Sequence, residues 1–261
     1  MSIIIDLKKI TTNQPINTTS YFLFEENKVS YLVKSDQNFS DKKIFYLDHC
    51  KYIDKNFFND KLKNFNFFQA SYNFIDVSIV NNTFTLIPLE HFDEDTAEIF
   101  LNKTVTFNIN MGVRYNFLPE YGLAIVFYYP EDIDNLLIES VDKIRVTHTG
   151  FKFLSKIFNS FKNNEGVYIN IYDKCFEVAV IEKKGLLIYN VFSYNTFSDV
   201  LYYLQVISDT SKINIFNKTL FCFGVKKDCE EYISGFEKHF IDSYKGYGDE
   251  FIRDNFTILD L

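Results

Sequence analysis

Tyr21-Phe-Leu-Phe-Glu-Glu-Asn-Lys-Val-Ser-Tyr-Leu-Val33 returns in outline, 147 residues further on, as Tyr168-Ile-Asn-Ile-Tyr-Asp-Lys-Cys-Phe-Glu-Val-Ala-Val180. In each copy apolar residues flank a short polar break, Glu25 to Lys28 in the first and Asp173-Lys174 in the second, which is the pattern of a β-hairpin. A third strand follows each hairpin, Lys43-Ile-Phe-Tyr-Leu-Asp48 and then Gly185-Leu-Leu-Ile-Tyr-Asn190. Helical spacing comes next. Phe58, Leu62 and Phe65 share one face in the first copy, and Phe197, Val200, Leu201, Leu204 and Ile207 share one in the second. Thr196-Phe-Ser-Asp199 supplies a capping box for the second helix.

Working outward, Leu123-Ala-Ile-Val-Phe127 and Thr219-Leu-Phe-Cys-Phe223 are continuous apolar runs, as expected of strands covered on both faces. Each is expected to lead into a helix, one with Pro130 in its first turn ahead of Ile133, Leu136 and Leu137. The other is capped by Asp228 and has Tyr232, Ile233, Phe236 and Phe240 on its apolar face. Leu154, Ile157, Phe158 and Phe161 mark a further helix. Between the copies, Asn73 to Leu89 reads as two strands, Asp93 to Leu101 as a short acidic helix, and Val113 to Leu118 as another strand. The resulting expectation is an α/β protein made of two related β-β-β-α-β-α units. No Pro, Gly or Ser-rich linker separates them, so the repeat itself places the division at residues 1–141 and 142–261.

Composition bounds what such a chain does. It has 261 residues, 27 Lys plus Arg against 35 Asp plus Glu, and a net charge of -8, with a pI near 5.1 and a mean hydropathy of -0.10. That balance argues against a nucleic-acid partner and against a disordered or membrane-spanning chain. Lysines between Lys51 and Lys63 and at Lys226-Lys227 lie among aromatics, but acidic residues intersperse them. Only three Arg are present to make bidentate phosphate contacts. Met1 to Ile10 lacks the features of a secretion signal, and Cys50, Cys175, Cys222 and Cys229 form no C-x-x-C pair. A reduced, cytoplasmic protein without disulfides is therefore expected.

A duplicated unit of this kind resembles the actin-like ATPase superfamily, with its duplicated ribonuclease-H-like motif. More closely, Ile87-Pro-Leu-Glu-His-Phe-Asp-Glu-Asp-Thr-Ala-Glu-Ile-Phe100 and Leu186-Leu-Ile-Tyr-Asn-Val-Phe-Ser-Tyr-Asn-Thr-Phe-Ser-Asp-Val-Leu-Tyr-Tyr-Leu204 are similar to a bacterial family of unknown function, domain of unknown function 3822. The resemblance runs from about residue 15 onward and implies an actin-like fold without implying a reaction. It also implies that the two hairpin turns would face the phosphates of a nucleotide held between the halves.

Those turns, Glu25-Glu-Asn-Lys28 and Tyr172-Asp-Lys-Cys175, contain no glycine to let backbone amides approach a phosphate. The first would also set two carboxylates against a polyphosphate. No P-loop or G-x-G-x-x-G is present, and the nine glycines include no adjacent pair. Asp173, as a metal-positioning carboxylate, and Gly224, beside a base, are the two candidates left for a nucleotide site. Each also has an ordinary explanation, Asp173 as a turn residue and Gly224 as a strand terminator. No catalytic residue is nominated, since no G-x-S-x-G occurs. The four histidines lack metal-ligand spacing, and Asp93-Glu94-Asp95 suits a helix start, so neither zinc nor calcium is expected. The reading is a pseudo-ATPase scaffold that binds a protein partner or itself, with no cofactor. The alternative is a divergent ATPase or kinase that binds ATP with magnesium in the interdomain cleft.

Overall fold

The computed structural model describes residues 18–36, 38–40, 42–46, 74–106, 111–130, 143–161, 164–183, 185–224, 232–245 and 250–259. The first repeat opens with β1 (Thr18–Phe24), β2 (Lys28–Ser35), β3 (Asn38–Phe39) and β4 (Lys43–Tyr46), followed by β5 (Phe74–Ile79). An inserted unit comes next: β6 (Phe84–Pro88), helix α1 (Ala97–Thr104), β7 (Met111–Leu118) and β8 (Leu123–Pro130). Then β9 (Ile144–His148) leads directly into α2 (Thr149–Ser160). The second repeat is β10 (Gly166–Ile171), β11 (Cys175–Glu182), β12 (Gly185–Ser193), α3 (Phe197–Ser211), β13 (Thr219–Gly224), β14 (Asp242–Lys245) and the short α4 (Glu250–Asp254).

The two large sheets share one plan. In the first, β1 lies between antiparallel β2 and parallel β5, with β3 and β4 outside β2 and β9 outside β5. In the second the order is β12-β11-β10-β13-β14, again antiparallel on one side of the first strand and parallel on the other. The expected β-β-β-α-β-α unit is thus one strand short. Each sheet gains a further parallel strand, β9 beside β5 and β14 beside β13. Although β9 begins past residue 142, it completes the first sheet, and the chain crosses to the second only through α2. The spacing missed this because β9 and β14 are short and carry polar residues among their apolar ones.

Burial follows from position in the sheet. β10, the middle strand of its sheet, is buried along its whole length. Helix α3 begins at the expected capping box, with Thr196 accepting from the Asp199 N–H and Asp199 reaching back to Thr196. It turns Val200, Leu204 and Ile207 onto β10, β11 and β13, where they join Ile233, Phe236 and Phe240. Residues 232–236 are helical as anticipated, whereas Asp228 and the helix bearing Phe58, Leu62 and Phe65 lie outside the described residues. A larger core fills the space between the two sheets, with Phe22, Val77, Phe153 and Tyr168 among its fully buried members.

The insertion is a three-stranded antiparallel sheet, β6-β8-β7, covered by α1 through Ala97 and Leu101. Pro130, expected in the first turn of a helix, is instead the last residue of β8, opposite Met111, while Ile133, Leu136 and Leu137, expected behind it, lie outside the described residues. The helix expected from Asp93 starts at Ala97, because Asp93 spends its carboxylate on a turn by accepting from the Asp95 N–H at 2.8 Å.

Candidate functional site

The two hairpin turns are built alike. Glu25 N–H donates to the Lys28 carbonyl at 2.9 Å in one, and Tyr172 N–H to the Cys175 carbonyl at 2.9 Å in the other. Because each sits at the same end of its own first strand, the repeat brings them face to face across the cleft. There they bond to each other: Asn27 Nδ2 donates to Asp173 Oδ2 at 2.7 Å, and the Asp173 N–H reaches Glu25 Oε2 at 3.4 Å. Asp173 is therefore a latch between the turns, and its carboxylate is engaged by an amide.

The charges behind the latch are unusually dry. Glu25 is buried, with Lys28 Nζ at 3.4 Å. Burial pushes its carboxyl above the usual range, against the pull of Lys28, the Asp173 amide and Lys42. Burial also lowers the Lys42 ammonium, opposed by Glu25 and Asp254. Gly224, the second candidate, ends β13 with φ of 118°, and a Cβ there would run into the Ile171 carbonyl oxygen. The need for glycine is thus met by backbone packing.

Sequence reasoning did not find the polar centre deeper in the cleft. Glu177 on β11, with no exposed surface, accepts from Thr149 Oγ1 at 2.5 Å, Tyr172 OH at 2.6 Å, Tyr189 OH at 2.8 Å and Asn170 Nδ2 at 3.2 Å. Desolvation raises its pKa, and these four donors hold it down in part. Asp76 on β5, equally buried, pairs with Arg145 at 2.5 Å and Lys152 at 3.0 Å. Single polar residues inside apolar strands, Asn170, Glu177 and Asp76, were the available signal. So was the four-residue spacing of Lys152 and Lys156 on the buried face of α2.

What fills the cleft is residues 255–259. Asn255, Phe256, Thr257, Ile258 and Leu259 are all buried. The Thr257 hydroxyl meets Tyr172 OH at 2.7 Å and Asn170 Nδ2 at 3.3 Å, on the second sheet. Its carbonyl accepts from Ser78 Oγ at 3.0 Å, on the first. Lys152 Nζ donates to the Ile258 carbonyl at 3.0 Å, and Lys156 Nζ to the carbonyls of Phe256 and, at 2.9 Å, Leu259. The space left between Glu25, Lys42, Asp173, Gly224 and this segment is about 40 Å³. That is room for a water or so, where small-molecule sites run to roughly 300–1,000 Å³.

Other chemistry is muted. Cys175 and Cys222 are free thiols, and burial pushes the Cys175 thiol well above its ordinary range. Among the described residues no group of three or more His, Cys, Asp or Glu side chains could hold a metal ion.

With this geometry in hand the chain can be placed among known proteins. The family model described as protein of unknown function (DUF3822) matches residues 9–241. The chain belongs to that family. No curated protein matches it. Its fold is similar to a Bacteroides thetaiotaomicron protein with actin-like ATPase fold and unknown function, at 19% identity, a TM-score of 0.73, and coverage of 88% of this chain and 90% of that one. It is also similar to a structure of the PilM-PilN type IV pilus biogenesis complex, at 8% identity, a TM-score of 0.59 and coverage of 92% and 96%. The ethanolamine utilization protein EutJ from Carboxydothermus hydrogenoformans aligns at 8% identity, with a TM-score of 0.50 and coverage of 95% and 91%. This DUF3822 member thus has the actin-like ATPase fold, as its duplicated hairpins led one to expect. Among its described residues no helix is long and apolar enough to cross a membrane.

Proposed function

We propose that this protein is a non-enzymatic member of the actin-like fold, a cytoplasmic pseudo-ATPase scaffold whose role is to bind a protein partner. The observation that carries the reading is the direct bonding of the two hairpin turns, Asn27 to Asp173 at 2.7 Å, over a cleft of about 40 Å³. In an actin-like ATPase the corresponding turns would be held apart by a polyphosphate. Glu25, a buried carboxylate in the first turn, would set negative charge against a phosphate held there, and neither turn offers a glycine amide. A scaffold role is in keeping with the pilus biogenesis complex among its structural neighbours, which joins one protein of this fold to a second. The competing reading, an ATPase or kinase in which Asp173 positions magnesium and Gly224 borders the base, needs the Asp173 carboxylate released from Asn27 and the lobes parted.

Isothermal titration of the purified chain with ATP and ADP in magnesium buffer separates the two. The scaffold reading expects no heat of binding at millimolar nucleotide. Saturable binding at micromolar concentration, abolished by Asp173→Ala, would overturn it.

A further inference from the structure

Four consecutive carbonyl oxygens, those of Phe256, Thr257, Ile258 and Leu259, each accept a hydrogen bond from a side chain of the cleft: Lys156, Ser78, Lys152 and Lys156 again. Core segments ordinarily satisfy their carbonyls within helices or sheet ladders. This segment is instead a turn continuing from α4, with Ile258 N–H and Leu259 N–H both donating to the Asn255 carbonyl at 3.1 and 3.2 Å. Its carbonyls are the orphans left at the end of a helical stretch, and lysine ammonium groups are well suited to cap them. Side-chain recognition is equally specific. Phe256 stacks on Phe223 at 4.0 Å and meets the edge of Phe153 at 6.0 Å. The Thr257 hydroxyl is read by Tyr172 and Asn170. Ile258 and Leu259 are sealed in the core between the sheets.

Main-chain acceptors taken by fixed donors, with the side chains buried against the groove walls, are the arrangement by which a groove recognises a peptide. We propose that the interlobe cleft is a peptide-binding groove, held in cis by residues 255–259, and that its ligand in trans is a partner protein's segment of the same chemistry. That segment is the end of a short helix followed by an aromatic residue, a threonine and two aliphatic residues. Withdrawal of the segment would remove the carbonyl acceptors that Lys152 and Lys156 use, although Lys152 would keep Asp76 at 3.0 Å, and that loss favours replacement over release. This deepens the scaffold reading by naming what the partner presents. Nucleotide binding would sink that reading and leave peptide exchange standing, whereas failed exchange would sink this one alone.

The test is exchange in the folded 261-residue chain. A specific protease site is placed within residues 246–249, the chain is cut after folding, and a fluorescein-labelled synthetic peptide with the sequence of Glu250–Leu259 is added. Fluorescence anisotropy is expected to show saturable uptake, weakened at least tenfold when the peptide carries Thr257→Val and abolished when its sequence is scrambled. Three results would overturn the proposal: loss of native circular dichroism on cutting, which makes the segment an integral piece of core; no exchange with excess peptide over days; or equal uptake of the scrambled peptide. Sedimentation of the uncut chain as a dimer that the added peptide dissociates would give the groove to a second copy and so overturn the partner assignment.

Discussion

His148→Asn isolates a single proton. His148 ends β9 and caps α2: its Nδ1 accepts from the Gly150 N–H at 3.0 Å, so the ring proton sits on Nε2, 3.1 Å from the Asn81 carbonyl. Protonating Nδ1 would set two donors against each other in a site with no exposed surface. Burial accordingly lowers the imidazole pKa to about 4. Unfolded, the same group titrates near 6.5. Between those values the unfolded chain binds the proton and the folded chain does not, so this contribution to stability is complete above pH 6.5 and is lost as pH falls toward 4. Over the full window a shift of this size corresponds to about 3 kcal/mol, and between pH 7 and pH 5 to about 2 kcal/mol. Buried carboxyls such as Glu25 and Glu177, whose pKa values are raised, act in the opposite sense over part of that range, which is why the variant is needed. Asparagine still caps the helix but does not titrate. Urea unfolding of both proteins at pH 7 and pH 5 should show the wild-type advantage shrinking by about 2 kcal/mol. Equal loss in the two proteins would refute the assigned tautomer and with it the account of how α2 is anchored.

Gly224→Ala should cost on the order of 2 kcal/mol or more in thermal or urea unfolding, since φ of 118° is strained for any side chain and the new Cβ meets the Ile171 backbone; an unchanged midpoint would put Gly224 back among functional glycines. Glu177→Gln leaves hydroxyl donors facing an amide and should destabilise by roughly 1–3 kcal/mol at neutral pH. Because the folded-state pKa of Glu177 is raised above 4.5, the proton-linked part of its contribution is fully present below that pH and is lost as pH rises through the folded value. The variant should therefore lose that part of the pH slope in denaturation curves, and a persistent slope counts against it. Thr196→Ala removes a capping-box acceptor and should lower stability by about 1 kcal/mol; no change would mean that α3 is held by packing alone.

Legibility in the sequence followed the range of the interaction. Features set within a few residues were readable, among them both hairpins, the capping box at Thr196 and the apolar face of α3. So was the duplication, because each repeat must form its own sheet from the same local pattern. The fifth strands were not, since β9 and β14 are strands only by virtue of the parallel partners they lie beside. At the cleft, the sequence and the structure meet only in part of the lining. Asp173 and Gly224 do lie together at the cleft, but what occupies it, residues 255–259, comes from the far end of the described chain, and no periodicity connects Thr257 with Ser78, Asn170 and Tyr172.

That difference bears on function. A cleft emptied of nucleotide by the loss of glycines alone would leave the two lobes free to move, and the fold would keep its hinge without a ligand to close it. Here the turns are latched by Asn27 and Asp173. The polar centre around Glu177 is satisfied from both sides of the crossover by Thr149 and Tyr172. Thr257 ties its hydroxyl to one sheet and its carbonyl to the other. Part of what holds the lobes together thus runs through residues 255–259, whose carbonyls Lys152, Lys156 and Ser78 engage. A polypeptide carries the carbonyls those donors require, which is the chemical ground for proposing a protein partner at this cleft.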